Sequence, residues 1–160
     1  MDRLDVTLID LFAEEPRVGV LEASRRLGVA RGTVQARLDR LAAAGVIIGW
    51  GPDLDPAAMG YPVTAFLTLE IRQEVSPTSG HDRVAEHLAA IPEVIEACTI
   101  TGVGDLWCRV VARSNADLQR VIDKVLAESA IVRSTTVISL ATQVARRLRP
   151  LARASVDGEE

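Results

Sequence analysis

The sequence predicts an α+β protein built from two domains. Residues 1–50 carry apolar side chains at helical spacing in three short segments, and the remainder follows strand and helix patterns in the order β-α-β-β-α-β. The chain has 160 residues, 48% of them hydrophobic, which suits two small packed cores. We expect a helical domain at residues 1–50, a linker at 51–61, a ferredoxin-like domain at 62–145 and a tail at 146–160.

The first two predicted helices of the N-terminal domain are short. Apolar side chains at helical spacing, with acids between them, predict a helix over residues 3–14 that Pro16 ends. A second apolar pattern begins at Val20 and closes at Gly28, because glycine adopts the left-handed conformation of a helix C-terminus at low cost.

A third helix is predicted after a tight turn. Val34, Leu38 and Leu41 lie on one face of it, and Gly45 stops it. Two helices joined by a tight turn that contains glycine form a helix-turn-helix pattern, in which the N-terminal part of the second helix reaches base edges in the major groove. Ala30 is a poor N-cap and leaves the first-turn N–H groups open to water or a phosphate oxygen.

The charge of the N-terminal domain is unevenly distributed. Residues 1–23 contain two basic and six acidic side chains, whereas residues 24–41 contain five basic and one acidic, within a chain of net charge −4. A basic segment in an acidic protein is typical of a confined phosphate-binding face, although a helix bundle with a solvated basic face has the same pattern. Arg pairs with guanine and Gln with adenine. The candidate DNA-binding residues are Arg25, Arg31, Gly32, Thr33, Gln35, Ala36, Arg37 and Arg40.

A strand and a linker are predicted after the third helix. The run at residues 46–50 is apolar, short and rich in β-branched side chains, which favours a strand. Prolines and aspartates follow this run, so we place the domain boundary near residues 51–60.

The ferredoxin-like domain opens with a strand that has two different faces. Apolar and polar side chains alternate from Val63 onward. A loop rich in serine follows at residues 76–80, where Ser79 and Asp82 resemble a capping box. The helix that this box would start ends at Pro92.

The rest of the domain completes the β-α-β-β-α-β order. Two β-rich segments at 94–101 and 106–112 precede a helix that Ser114 and Asp117 would cap, and a β-rich segment at 131–144 comes last. This order predicts a four-stranded antiparallel sheet with both helices on one face. The other face is apolar in places and must be buried, most simply against a second copy, so we expect a homodimer.

Several classes of protein are disfavoured. The N-terminus is acidic without an apolar segment, and no apolar stretch approaches the roughly 18 residues of a membrane span, so we expect a cytoplasmic protein with no membrane partner. Cys98 and Cys108 form neither a disulfide framework nor a four-ligand zinc site. The sequence contains no phosphate loop and no pairing of a nucleophile with a base, so we expect no enzyme activity and no cofactor.

Short pieces of the sequence occur in the order and spacing of a known family. They are Leu4-Asp5 through Leu11, Leu27-Gly28-Val29, Thr33-Val34 with Arg37 and Leu41, Gly45-Val46-Ile47, Leu54-Asp55-Pro56 with Gly60-Tyr61, and Gly102-Val103-Gly104-Asp105. On these pieces the chain resembles the Lrp/AsnC (feast/famine) transcriptional regulators of bacteria and archaea over nearly its full length. The resemblance implies a winged helix-turn-helix with a recognition helix at about residues 31–44. It also implies a ferredoxin-like domain that dimerises, with assembly to an octamer left open, and binds small effectors, usually amino acids.

The resemblance also implies an effector site near the loop between the middle strands. Glycines allow close backbone approach and offer N–H groups to a carboxylate, while Asp105 would pair with an ammonium group. Alternatively, the glycines only turn a hairpin and Asp105 caps it. The candidate effector-binding residues are Thr101, Gly102, Val103, Gly104, Asp105, Leu106, Ser134, Thr135 and Thr136.

Three functions are compatible with these patterns. The favoured one is a sequence-specific DNA-binding transcriptional regulator that binds double-stranded DNA and responds to an amino acid or similar metabolite. An architectural protein that compacts DNA with little base preference would use the same basic helix. A tetrapyrrole decarboxylase of similar fold would need histidines converging on a pocket, and the chain offers only His81 and His87.

Overall fold

The computed structural model describes residues 1–72 and 80–157. The chain forms two compact units. The helical unit contains Met1–Asp53 and Val144–Glu160, and the sheet unit contains Leu54–Gln143.

The serine-rich loop at 76–80 and the capping box of Ser79 with Asp82 depend on residues 73–79, which lie outside the described residues. Within the described ranges, no helix has both the length and the apolar character that crossing a bilayer requires.

The described residues form six helices and four strands. The helices are α1 (Arg3–Glu14), α2 (Val20–Leu27), α3 (Arg31–Ala43), α4 (Gly80–Ala89), α5 (Asn115–Val125) and α6 (Arg149–Asp157). The strands are β1 (Val63–Ile71), β2 (Val94–Thr99), β3 (Leu106–Ala112) and β4 (Ile131–Ile138).

The core of the helical unit confirms the predicted helix-turn-helix. Leu8 of α1, Ala23 of α2 and Val34 of α3 are fully buried against one another. Glycines end both helices of the motif in the left-handed conformation, with φ of +64° at Gly28 and +70° at Gly45. The buried stripe of α3 leaves its opposite side facing solvent.

The strand predicted at residues 46–50 does not form. The N–H groups of Val46 and Ile47 instead bond to the Leu41 carbonyl and close the end of α3. Ile47 packs against the helical core, and the Trp50 ring meets the Phe12 ring edge-on at 5.6 Å. The apolar side chains here serve helix packing, and a strand needs a hydrogen-bonded partner that the described part of the helical unit does not supply.

The segment expected as a tail at 146–160 contains a helix. α6 lies against α1, where Arg149 pairs with Glu14 at 3.1 Å and Arg153 pairs with Asp10 at 2.9 Å. The acidic side chains of α1 thus attract the arginines of the tail. Because the partners lie on another helix, the sequence of the tail alone does not reveal this contact.

The sheet unit confirms the ferredoxin-like order. Its four strands lie in the order β2-β3-β1-β4, and every neighbouring pair is antiparallel. Alternate side chains of β1 and β3, among them Leu67 and Cys108, pack against Val84 and Leu88 of α4 and Val121 of α5. Both helices therefore cover the same face of the sheet.

The opposite face of the sheet, which we call the open sheet face, carries a mixture of aromatic, polar and apolar side chains. Phe66 and Trp107 stack with ring centres 5.5 Å apart, and Val137 on β4 is 59% exposed. Glu96 and Arg109 form an ion pair beside them. This face is not covered by any element of the described sheet unit.

Candidate nucleic-acid interface and effector loop

The solvent side of α3 is the candidate nucleic-acid interface. Because Val34, Leu38 and Leu41 point into the core, the side chains between them point outward. Ala30 precedes the helix without a side-chain cap, as the sequence predicts. The predicted residues exposed on α3 are Arg31, Gly32, Thr33, Gln35, Ala36 and Arg40.

The basic side chains of the helix-turn-helix differ in their partners. Arg31 at the start of α3 and Arg25 on α2 are exposed, and neither forms an ion pair within the described residues. Arg26 is bound between Glu15 and Glu22. Arg31 is therefore an available cation in the first turn of the helix that the motif directs into the groove.

Arg37 and Arg40 are both held by one carboxylate. Asp5 of α1 is fully buried, and each of its oxygens lies 2.7 Å from Nη2 of Arg40. Nη1 of Arg37 donates to the same carboxylate at 2.9 Å and also to Asp2. The side chain of Arg40 remains 59% exposed, whereas that of Arg37 is 26% exposed. Arg37 is thus mostly enclosed, and Arg40 reaches both the interior and the solvent.

The carboxylates of Asp5 and Asp2 both have lowered pKa values. Burial acts to raise the pKa of Asp5, but the N–H of Asp2 and the guanidinium groups of Arg37 and Arg40 outweigh it, and the pKa lies below its usual value. The hydrogen bond from Arg37 is the main cause that lowers the pKa of Asp2. Both groups are therefore ionised at neutral pH, and the cluster keeps its full set of charges.

Polar side chains complete the exposed side of α3. Nε2 of Gln35 donates to the Asp39 carboxylate at 2.8 Å, so this amide is engaged by its own helix. Thr33 is exposed, and its N–H bonds to the Ala30 carbonyl at 2.9 Å. Arg31 and Gln35, four residues apart, share one side of α3, and Thr33 lies on another side of the same exposed first turn. The turn therefore offers a guanidinium, an amide and a hydroxyl, which are groups that pair with base edges and phosphates.

The candidate effector loop joins β2 to β3 and is attached to β1. The N–H of Asp105 donates to the Leu69 carbonyl at 2.9 Å. One oxygen of the Asp105 carboxylate accepts the N–H of Ile71 at 2.7 Å. Asp105 therefore holds the loop in place, which is the capping role that the sequence left as an alternative to ligand binding.

The predicted effector residues lie along the same stretch of β1 but differ in access. Ser134, Thr135 and Thr136 of β4 pair with Leu69, Thr68 and Leu67 of β1, the strand that carries the loop on its other side. Thr101, Gly102 and Val103 are exposed, whereas Gly104 and Asp105 are half-buried. Leu106 is 4% exposed and belongs to the core, so its side chain is not available to a ligand.

Sequence reasoning did not identify Asp5 as a partner of the α3 arginines. Asp5 lies 32 residues from Arg37 and 35 from Arg40, so no local pattern joins them. The sequence indicated this pairing only indirectly, because the first predicted helix carries several acids while the third carries Arg37 and Arg40 three residues apart.

The histidines of the enzyme alternative have ordinary structural surroundings. His87 lies on α4, where its Nε2 is 2.8 Å from the Lys124 carbonyl of α5. His81 lies six residues earlier on α4 and is half-buried. Neither ring joins a cluster of three or more potential metal ligands in the described residues.

The chain matches two models of one protein family. Residues 1–42 match the AsnC-type helix-turn-helix domain, and residues 64–148 match the Lrp/AsnC ligand binding domain. The second match alone spans more than half of the chain.

Individual relatives agree with the family models. An HTH-type transcriptional regulator of Pyrococcus abyssi is 33% identical over 135 residues, which are 84% of this chain and 82% of that protein. The structure of Escherichia coli AsnC is 27% identical, with a TM-score of 0.81 over 94% of this chain and 99% of that chain. A Neisseria meningitidis regulator, solved as a complex with L-Met, shares the fold with a TM-score of 0.79 at 20% identity over 94% of this chain and 99% of that chain.

These relatives are transcriptional regulators, which confirms a regulator of this class over the decarboxylase. The matched helix-turn-helix also agrees with the exposed, basic α3. The chain belongs to the Lrp/AsnC family of helix-turn-helix transcriptional regulators.

Proposed function

We propose that the solvent side of α3 reads the major groove of double-stranded DNA. The observation that supports this interface is the exposed first turn of α3, where Arg31 and Thr33 precede the buried Val34. Arg31 has no ion pair within the described residues and is free to pair with a guanine. Thr33 and the uncapped first turn are suited to a phosphate oxygen.

The remaining candidate residues have smaller or conditional roles. Gly32 and Ala36 add little bulk, so the helix backbone can approach the base edges. Gln35 contacts a base only after its amide releases Asp39, which costs the protein one hydrogen bond. Arg25 on α2 is placed to contribute a phosphate contact, and Arg37 contributes to the fold more than to DNA.

The proposed working form is a homodimer joined through the open sheet face. Phe66, Trp107 and Val137 provide an apolar surface there, and such a surface is stabilised when a second copy covers it. Two recognition helices then sit about 34 Å apart, which requires a pseudo-palindromic operator. Dimers of this kind are also the units from which an octamer would assemble.

The proposed effector is an amino acid bound at the loop between β2 and β3. Gly102 and the exposed residues beside it present backbone N–H groups that suit a carboxylate. The L-Met complex of the Neisseria meningitidis regulator shows this ligand class on a protein of the same fold. The proposed location of the regulator is the cytoplasm, where DNA and free amino acids are both present.

Operator binding by an Arg31→Ala variant tests the DNA interface. Loss of a bidentate base contact weakens binding by about 1–3 kcal/mol. Arg133→Ala is a matched control, because Arg133 is a 72% exposed arginine of the sheet unit. A gel-shift titration on the chain's own promoter region and on random DNA of equal length separates base reading from architectural binding. Equal affinity of wild type and Arg31→Ala for the promoter would contradict the interface.

A thermal-shift screen against the twenty amino acids tests the effector. We expect at least one amino acid to raise the unfolding temperature, because a ligand that binds only the folded state stabilises it. A shift that persists unchanged in a Gly102→Val variant would place the ligand elsewhere.

A further inference from the structure

The most deeply enclosed charge of the helical unit lies behind its DNA-facing helix. Asp5 has no solvent exposure, and among the described residues it is the only carboxylate of which this is true. It accepts hydrogen bonds from the N–H of Asp2, from Arg37 and from Arg40. A buried charge with fewer partners would destabilise the fold, so this complete set of donors is what makes its burial possible.

The two arginines differ in what remains of them outside this cluster. Arg37 is shared between Asp2 and Asp5, and its side chain is 26% exposed. Arg40 binds both oxygens of Asp5 through Nη2 alone, and 59% of its side chain stays in contact with solvent. A guanidinium has five N–H donors, so Arg40 keeps donors for a second acceptor while one nitrogen is fixed.

The position of Arg40 along α3 indicates what this second acceptor is. Arg40 lies nine positions after Arg31, which corresponds to about 13 Å along a helix. In this motif the N-terminal turn contacts the bases, so a cation that far along the helix approaches the sugar-phosphate backbone. A phosphate oxygen is also the acceptor that a fixed guanidinium fork binds well.

We infer that Asp5 is a positioning residue for DNA binding, which acts by holding the guanidinium of Arg40 for a phosphate of the operator. The inference rests on the proposed role of α3. The buried carboxylate orders the Arg40 side chain before DNA arrives, so binding does not have to order it. Arg37 stabilises the packing of α1 against α3 and does not take part in positioning Arg40.

The neutral variant Asp5→Asn tests the inference, because general electrostatics and the release of Arg40 change DNA affinity in opposite directions. Removing a negative charge near DNA strengthens binding by general electrostatics. Releasing Arg40 weakens it, by about three- to tenfold for one side chain that must be ordered on binding. Asp2→Asn is the charge-matched control, since Asp2 does not contact Arg40. We expect Asp5→Asn to weaken promoter binding and Asp2→Asn to leave it equal or stronger.

A double-mutant cycle separates positioning from a loss of stability. Promoter affinity is measured by fluorescence anisotropy for wild type, Asp5→Asn, Arg40→Ala and the double variant, with the unfolding temperature of each recorded. If Asp5 acts through Arg40, Asp5→Asn does not weaken affinity in the Arg40→Ala background, where only the general electrostatic effect remains and leaves affinity equal or stronger. An equal loss in both backgrounds, or a gain in affinity on Asp5→Asn alone, overturns the inference. Arg40→Ala is also expected to lower the slope of log affinity against log salt by about one, as loss of a phosphate contact requires.

A second variant covers the case in which Asp5→Asn does not fold. Arg40→Lys keeps the charge but has a single nitrogen, which cannot bind both Asp5 oxygens and a phosphate in fork geometry. We expect it to weaken promoter binding with the unfolding temperature nearly unchanged, and unchanged affinity would contradict the inference. The proposed DNA interface is tested separately, because it is contradicted only if an Arg31→Ala variant binds the promoter like wild type.

Discussion

Gly104 lies so close to Thr68 that a Cβ atom on Gly104 would overlap the Thr68 methyl group and approach the Leu69 carbonyl oxygen to 3.2 Å. Gly104 and Gly102 have φ of +88° and +109°, conformations that side-chain-bearing residues rarely adopt. Nothing lies within 4 Å of a Cβ at Gly102. The attachment of the candidate effector loop to β1 therefore depends on the absence of a side chain at Gly104 in particular.

Substituting the two glycines should separate backbone strain from crowding. Gly102→Ala costs about 1–2 kcal/mol of folding free energy, because only the positive φ opposes it. Gly104→Ala adds about 1–3 kcal/mol of overpacking against Thr68 and Leu69. Urea unfolding of both variants measures the difference. Equal losses of stability would mean that the loop moves away from β1 without cost.

Because α6 docks on α1, substitutions on its docked side and on its exposed side should differ in their effect on the tail. Val156 is half-buried and lines the groove with Arg3 and Asp10, whereas Leu151 is 67% exposed. Val156→Asp should weaken the docking of α6 on α1, because it replaces a half-buried apolar side chain with a charged one in a groove that already holds Asp10 and Asp157. Limited proteolysis should then cleave the tail, and Leu151→Asp should leave its cleavage rate unchanged. Resistance of both variants would show that α6 does not depend on this groove.

The ion pairs of α6 are expected to be weak individually. Arg149, Glu14 and Arg153 are all substantially exposed, and exposed pairs contribute about 0–1 kcal/mol each. Arg153→Ala should therefore lower the free energy of unfolding by less than about 1 kcal/mol, and the loss should shrink at high salt. Urea titrations at two salt concentrations provide the measurement. A loss of several kcal/mol would mean that Asp10 depends on this partner more than its exposure indicates.

Acid should destabilise the helical unit through Asp5. Its folded pKa lies below the unfolded value of about 3.9, so its stabilising effect is present above that value and is lost as the pH falls through the folded pKa. The urea midpoint of wild type should fall below about pH 4. Asp5→Asn should be less stable at neutral pH and show a flatter curve in acid. Parallel curves for the two proteins would contradict the low pKa.

Thiol labelling should report on the proposed dimer. Burial raises the pKa of Cys108 to about 11, so this thiol should react only after unfolding. Cys98 is exposed on the open sheet face, opposite Trp107 in the register of β2 and β3. Its labelling should slow as protein concentration rises and the dimer covers this face. Val137→Glu, a charge on the same face, should restore fast labelling, and a concentration-independent rate would contradict dimerisation there.

Much of the fold follows from local patterns in the sequence. The helix over residues 3–14 and the ending of α2 at Gly28 occur as predicted, because helical spacing and a left-handed glycine act within a few residues. The Ser114 hydroxyl likewise caps α5 by accepting the Asp117 N–H at 3.1 Å. The exposed side of α3 also follows, since burying one stripe of a helix exposes the other.

Tertiary contacts decided the features that local patterns could not. The apolar run at 46–50 has the composition of a strand but packs its side chains on helices, because strand formation depends on a partner rather than on propensity. The helix of the tail lies against α1 and pairs with acids that are more than a hundred residues away along the chain, so its docking could not be read from local sequence. The sequence alone showed that arginines gather on α3, but only the folded chain bound Arg37 and Arg40 to a buried carboxylate of α1, since burial and charge pairing arise between segments that are distant along the chain.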